Sequence, residues 1–282
     1  MSKIVFTVPP VDMEEIWGEL SEEGSVLPPM GIAILASVTR GKGFDVKILD
    51  PIAEKLDIES TLKRIFDYNP KYVGITATTD MLSSAARLAD RLKKIDPSYT
   101  ILLGGPHISA LPLDTMEKFA SFDYGFVGES EDTLPEFLEA FEKKGDLSKV
   151  KGIVIRNSGK PVYTGPRQII MDMDRIPMPA WDALPDIRSH YRPALINYKR
   201  QPVTSLVTSR GCAGMCIFCD ASVFGRRVRA YSADYVMRSI DELMKGYGIK
   251  EVCFYDDTFV AFKKRLSEIC NMMIERKLDL SW

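Results

Sequence analysis

The sequence has no cysteine before residue 212, only two histidines (His107 and His190), almost no net charge and no long hydrophobic run. Each shortage excludes something. A chain without cysteine over its first 211 residues has no disulfide framework to staple a small secreted fold. With 37 Lys and Arg against 39 Asp and Glu, the formal charge is only -2, so no polyelectrolyte field exists to hold nucleic acid or an anionic membrane. The longest mostly apolar run, Gly31 to Val38, is far shorter than the roughly 20 residues that cross a bilayer. Neither a nucleic-acid partner nor a membrane span is expected. Ile4 to Val8 is apolar enough to suggest a leader, but Pro9-Pro10 and the acidic Asp12, Glu14 and Glu15 follow at once. The segment therefore reads as a first buried strand in a cytoplasmic protein.

What is present is an ordinary globular composition: 282 residues, 45% apolar and 27% charged, enough for one large domain or two medium ones. From 1 to 145, β-rich runs alternate with helical patterns. Strands are expected at Ile4 to Val8, Val46 to Leu49, Tyr72 to Ala77, Ile101 to Leu103 and Tyr124 to Val127, with helices near 30–40, 58–68, 82–95, 113–119 and 132–143. This alternation predicts a flavodoxin-like doubly wound α/β domain whose ligand lies across the carboxyl ends of the strands. Residues 146–202 change character. A hairpin is expected around Asn157-Ser158-Gly159, and prolines crowd the stretch to Pro202, so it reads as a Pro-rich connector pinned by packing of Trp181. The βα rhythm returns over 203–282: a strand at Thr204 to Thr208, a helix capped by Ser232, a strand at Glu251 to Tyr255, an amphipathic helix from Leu266 to Ile274, and the start of a third strand at Leu278 to Trp282.

All five cysteines lie in this last part, three of them as Cys212-Ala-Gly-Met-Cys216-Ile-Phe-Cys219. Such spacing without an export signal points to metal ligation, and Gly211 and Gly214 let the backbone curl round a bound object. Thiolates are the usual ligands of iron-sulfur clusters. Three of them leave one iron of a four-iron cube without a protein ligand, a corner open to a substrate. A zinc site completed by a remote Cys or His is the other metal reading, although zinc motifs usually come as paired C-x-x-C knuckles. Cys253 and Cys270 are expected as buried core residues.

Ser209-Arg-Gly-Cys212-x-x-x-Cys216-x-Phe-Cys219 after a strand closely resembles the cluster loop of radical S-adenosylmethionine (SAM) enzymes. The resemblance implies a 4Fe-4S cluster ligated by Cys212, Cys216 and Cys219, with SAM chelated at the open iron and cleaved by one electron to give a 5'-deoxyadenosyl radical. It places Phe218 near the adenine. Phe254-Tyr-Asp256-Asp257-Thr-Phe259, at the end of the second strand, offers two acids for the SAM ammonium group. The alternative is that one of them caps the following helix. Arg229, in Arg226-Arg-Val-Arg229, would meet a SAM carboxylate or else belong to a solvated basic stretch.

With the doubly wound domain in front, the whole chain is similar to cobalamin-binding radical SAM proteins, which implies a cobalamin domain followed by the first part of a partial (β/α)6 barrel. The matching features are Leu27-Pro-Pro-Met-Gly31, Thr76 to Thr79, Gly104-Gly105-Pro106-His107 and Gly128-Glu129-Ser130. Thr76, Thr78, Gly104, Gly105, His107, Gly128 and Glu129 are thus the expected cobalamin contacts, glycine allowing close backbone approach and hydroxyls supplying hydrogen bonds. No Asp-x-His-x-x-Gly occurs, so a base-off corrinoid without a protein histidine on cobalt is expected. The leading expectation is methyl transfer to an unactivated carbon of a small-molecule, lipid or natural-product substrate, with a flavodoxin or ferredoxin as electron donor. Oxidative ring closure or rearrangement is the alternative within the family. A corrinoid- or metal-binding module without turnover is the alternative outside it, because only two βα units and the start of a third follow the connector. The chain is accordingly expected to be part of a longer enzyme.

Overall fold

The β-branched runs and amphipathic stretches become regular elements in a computed structural model, which describes residues 1–11, 18 and 25–282. Asp12, Glu14 and Glu15 lie outside these residues. In the first part the strands are β1 (Lys3–Thr7), β2 (Asp45–Leu49), β3 (Tyr72–Thr76), β4 (Thr100–Gly104) and β5 (Tyr124–Phe126). The helices are α1 (Met30–Arg40), α2 (Ile58–Tyr68), α3 (Leu82–Ile95), α4 (Pro106–Ala110), α5 (Pro112–Lys118) and α6 (Thr133–Glu142). The five strands pair in parallel in the order β2-β1-β3-β4-β5. That is the doubly wound, flavodoxin-like order, with its switch point between β1 and β3. Each strand falls within a residue of its expected place. The helix expected near 113–119 forms as α5, and a short helix not expected from the sequence, α4, precedes it; each starts on a proline and they are separated at Leu111. Five residues are too few to show a helical period in sequence.

The hairpin expected in the connector forms as β6 (Ile153–Asn157) and β7 (Lys160–Tyr163), turning through Ser158 and Gly159 at φ 49° and 82°. It does not stand apart. β6 pairs antiparallel with β5 and completes a seven-stranded sheet among the described residues, covering an edge that would otherwise present unpaired N–H and C=O groups.

One face of this sheet packs Val5, Val73, Ile75, Ile101 and Leu103 against Leu62 and Ile65 of α2 and Leu88 and Leu92 of α3. The other packs Ile4, Phe6, Leu102 and Phe126 against Ile32 and Ala36 of α1 and Leu134 and Phe137 of α6. This second core runs on through Met173, Ile176, Trp181 and Ile187 of the connector into the carboxy-terminal part. Trp181 is fully buried, the backbone N–H of Ala180 donates to the Ala33 carbonyl at 3.0 Å, and Ser37 Oγ donates to the Met178 carbonyl at 2.6 Å. The irregular segment is therefore fastened to α1 rather than floppy.

In the last part β8 (Val203–Leu206) pairs in parallel with β11 (Glu251–Phe254). Between them come the two-residue strands β9 (Ser209–Arg210) and β10 (Arg229–Ala230), which pair antiparallel, and α7 (Ala233–Tyr247). Helix α8 (Lys263–Glu275) follows. Ser232 caps α7 as its sequence predicts, accepting from the Tyr235 N–H at 3.1 Å, and Gly248 closes it in the left-handed conformation. Val236, Ile240 and Leu243 of α7 and Ile269 of α8 are buried with Val252 of β11. The third strand expected at Leu278 to Trp282 is reduced to one parallel bridge, Glu251 to Ser281. Cys253 and Cys270 are half-buried rather than core, because they lie where this small layer has less cover. No helix of the described residues is long and apolar enough to cross a membrane.

Candidate functional site

The carboxyl ends of β1, β3, β4 and β5 open onto a cavity of about 360 Å³ whose far wall is formed by the loops after β8 and β11. Phe6, Thr76, Leu102, Gly104, Gly105, Phe126, Gly128 and Glu129 line it from the sheet, and Val207, Ser209, Arg210, Tyr255 and Asp257 from the other side. Glycine is required at position 105. Its φ is +99°, and a Cβ there would sit 2.7 Å from Thr76 Oγ1 and 2.9 Å from the Ala77 nitrogen. The β3 and β4 ends are knitted across this point by Ala77 N–H donating to the Gly104 carbonyl (3.1 Å) and His107 N–H to the Ala77 carbonyl (3.2 Å).

Of the expected cobalamin contacts, Thr76, Gly104, Gly105, Gly128 and Glu129 reach the cavity, while Thr78 and His107 do not line it. Thr78 is exposed and bonded to Asp80. His107 is the second residue of α4, buried, with Nδ1 3.0 Å from Thr79 Oγ1, and burial lowers its pKa. Both residues order loops rather than face the cavity. Glu129 reaches the cavity wall but its carboxylate is spent inside the protein. One oxygen accepts from Arg210 at 2.8 Å and the other from Arg229 at 2.6 Å and the Ile170 N–H at 3.3 Å.

Arg229 is corrected by the same contacts. Its guanidinium also donates to the carbonyls of Ile170 (2.7 Å) and Phe224 (3.0 Å), and its side chain is 1% exposed. It is neither a solvated basic residue nor free for a SAM carboxylate. Arg210 additionally pairs with Glu131 at 2.6 Å and lies 5.3 Å over the Phe224 ring. Burial works against the charge on Arg210, but Glu131 and Glu129 outweigh it and raise its pKa. Sequence reasoning singled out neither Arg210 nor Glu131. Arg210 stands inside the quoted Ser-Arg-Gly-Cys run and Glu131 two positions after Glu129, but nothing in a linear pattern pairs residues so far apart.

The cysteine loop leaves β9 at Gly211, whose φ of +85° and 2.5 Å Cβ approach to the Arg227 carbonyl oxygen admit no side chain. Cys212 is half-buried, Cys216 and Cys219 are exposed, and all three are free thiols. A Cβ on Gly214 would stand 3.3 Å from Cys212 Sγ and 3.8 Å from Cys216 Sγ, so the missing side chain leaves open space beside two of the sulfurs. Gly214 N–H donates to Cys212 Sγ at 3.4 Å and is the main cause of a lowered Cys212 pKa. Arg226 holds the loop from behind by donating to the Gly214 carbonyl. Among the described residues no three His, Cys, Asp or Glu side chains converge where a single ion would sit. A cubic cluster takes one thiolate per iron, so its ligands stand apart rather than converge. Cys212 and Cys216 border the open space at Gly214, and thiolates that do not meet at one ion suit such a cluster better than one tetrahedral zinc.

The two acids after β11 separate. Asp256 accepts from Thr208 N–H (2.5 Å), Thr208 Oγ1 (2.6 Å) and Ser209 Oγ (2.8 Å). It is a clasp across the end of β8 and does not line the cavity, which corrects its expected place beside SAM. Asp257 lines the cavity and accepts from the Gly211 N–H at 3.2 Å, next to the first cysteine. Neither caps α8, whose N-cap is Phe262. Phe218, expected near an adenine, stands 89% exposed and is not part of the cavity wall.

Residues 20–138 match the B12 binding domain family model. The chain carries a B12-binding domain. Over 262 residues it is 37% identical to an uncharacterized methyltransferase of Pyrococcus horikoshii, an alignment covering 92% of this chain and 55% of that protein. It is 27% identical over 260 residues to the anaerobic magnesium-protoporphyrin IX monomethyl ester cyclase of Rubrivivax gelatinosus, covering 90% of this chain and 46% of the cyclase. The chain spans about half the length of these curated relatives. Among solved structures, the cobalamin-dependent SAM radical enzyme OxsB superposes with a TM-score of 0.80 at 19% identity over 99% of this chain and 38% of its own. The radical SAM methyltransferase TsrM of Kitasatospora setae does so with 0.72 at 19% identity, over 98% and 52%. At this identity the superpositions speak for the fold, and they extend from the B12-binding domain through the connector to the cysteine-loop unit. The resemblance to cobalamin-binding radical SAM proteins is borne out.

Proposed function

We propose that this chain serves a cobalamin-dependent radical SAM enzyme that transfers a methyl group to an unactivated carbon of a small organic substrate. The observation that carries the reading is the shared cavity, bounded by the glycine-rich strand ends of the B12-binding domain on one side and by Ser209, Arg210 and Asp257 beside the cysteine loop on the other. The division into residues 1–145, 146–202 and 203–282 belongs to the same reading, with the middle segment's hairpin completing the first sheet.

In this reading Cys212, Cys216 and Cys219 hold a 4Fe-4S cluster, Asp257 faces the amino end of SAM, and Thr76, Gly104, Gly105 and Gly128 border the corrinoid. Together these groups supply one-electron chemistry at a sulfonium and a methyl donor. The chain's own residues provide the rest. Gly104, where a Cβ would meet no atom within 4 Å, lets a broad flat ligand lie directly on the backbone, and Phe6, Leu102, Phe126 and Leu134 make the floor apolar and exclude water. Asp257, set by the Gly211 N–H, is an acceptor for an ammonium group close to Cys212.

The test is anaerobic reconstitution with iron, sulfide and hydroxocobalamin, followed by gel filtration and incubation with SAM and a reductant. Retained iron and corrinoid, with 5'-deoxyadenosine and S-adenosylhomocysteine as products, support the proposal. A colourless protein, or corrinoid without iron, rejects it, the latter in favour of a binding module. The cyclase relative carries a second reading, oxidative ring closure. Label from methyl-labelled SAM entering the organic product favours the first reading, and a dehydrogenated, unlabelled product the second.

A further inference from the structure

We propose that Glu129, Glu131, Arg210 and Arg229 are positioning residues that hold the cysteine loop in register with the carboxyl edge of the B12-binding domain. The inference rests on the functional reading above. Arg210 and Arg229 stand directly opposite each other in the β9–β10 pair, and these two short strands are the two ends of the loop that carries all three cysteines of the motif. Two guanidinium groups facing each other across a strand pair repel, and a ladder two residues long has little stability of its own. The pair forms here because a single carboxylate lies between the two cations, with one Glu129 oxygen on Arg210 and the other on Arg229. Glu131 takes the remaining arm of Arg210. All four side chains are nine-tenths or more buried.

Glu129 does not belong to the loop it closes. It follows Gly128 in the turn after β5, a turn that borders the cavity. A buried ion pair contributes little net stability, but losing one member strands a charge in the interior, so its geometry is enforced rather than adjustable. Closure of the cysteine loop is thus conditional on the position of the domain edge, and a ligand that seats against Gly128 acts on the backbone next to Cys212 through one carboxylate.

Hydrogen exchange on the full chain tests this, with hydroxocobalamin as the probe at a concentration that saturates each protein. In the unmodified protein the corrinoid is expected to slow exchange across residues 209–230 at least fivefold. In Glu129→Gln the same amides should exchange at least tenfold faster without ligand, with the amides of β1, β3 and β4 unchanged, and the corrinoid-dependent slowing should vanish. Glu131→Gln, which touches Arg210 alone, should show a smaller acceleration confined to residues 209–211. If Glu129→Gln loses protection throughout the sheet, the Glu131→Gln pattern decides. Loop exchange unchanged in both variants, or slowed equally by corrinoid with and without Glu129, overturns the inference. Failure of the unmodified protein to bind corrinoid defeats the functional reading instead, and the ligand-free comparison then still judges the ion network.

Discussion

The seven-stranded sheet and the β8–β11 pair are written in the same βα rhythm yet bury it differently. Central strands of the sheet have helices on both faces, so Val73, Ile101 and Leu103 are fully enclosed. The smaller pair packs α7 and α8 behind it, while Val260, Phe262 and Trp282 remain exposed. The contrast extends to the site. At the sheet edge, the positions that line the cavity are fixed by a dense core. Around the cysteine loop they are held by ion pairs and carboxylate clasps. Geometry in the first region rests on close packing, whereas in the second it rests on hydrogen bonds and buried ion pairs.

The sharpest way to break this comparison is to remove the three thiols. Replacing Cys212, Cys216 and Cys219 together by alanine should abolish iron uptake on anaerobic reconstitution while leaving the thermal unfolding of the apo-protein within a degree or two. A large drop in unfolding temperature would mean that the loop is part of the core after all. Next comes a matched pair of truncations. Ile101→Ala should cost about 2–5 kcal/mol because it leaves a cavity between two packed layers, whereas Val260→Ala should change stability by no more than about 0.5 kcal/mol. Denaturant titration of the two variants measures both. Equal losses would show that the second region is as tightly packed as the first.

Asp256 and Asp257 sharpen the contrast at one point. Asp256→Asn weakens three hydrogen bonds at the end of β8 and should lower stability by about 1–3 kcal/mol. Asp257→Asn should leave stability nearly unchanged and weaken SAM binding, read by isothermal calorimetry on the reconstituted protein. A loss of stability without a change in SAM affinity for Asp257→Asn would reverse the assignment.

The smallest effect expected is electrostatic. Asp132, at the start of α6, is bonded by Arg175 of the connector at 2.6 Å, and that bond, only partly opposed by burial, lowers its pKa. A depressed carboxyl pKa contributes stability that is complete above the unfolded value near 3.9 and disappears as pH falls through the lower folded value. Both side chains are over a third exposed, so screening limits the contribution to about 1 kcal/mol or less. Arg175→Gln should therefore reduce stability slightly at pH 6 and converge with the unmodified protein near pH 2. A constant difference across that range would assign the effect to packing.

The β1–β5 strands were legible because Val- and Ile-rich runs bounded by Gly, Pro or charged residues carry both propensity and punctuation. The hairpin was legible from Asn157-Ser158-Gly159, but its attachment to β5 was not, since an open edge is a property of the assembled sheet. Strands β9 and β10, two residues each, have no sequence period to detect. The clasp by Asp256 and the spent carboxylate of Glu129 were invisible for a related reason. Adjacent or motif-matched acids look alike until the partners that claim them are known.

What the sequence by itself determined is local and periodic. It set the alternation that makes a doubly wound sheet, the cap at Ser232, and three thiols at spacings that let one loop present them together, all of which follow from neighbours along the chain. Tertiary structure alone decided that Asp257 and not Asp256 faces the cavity, that His107 turns to Thr79, and that one buried carboxylate joins Arg210 to Arg229. Those outcomes depend on desolvation and pairing between segments as many as 100 residues apart, and burial makes a charge take whichever partner the fold brings within reach.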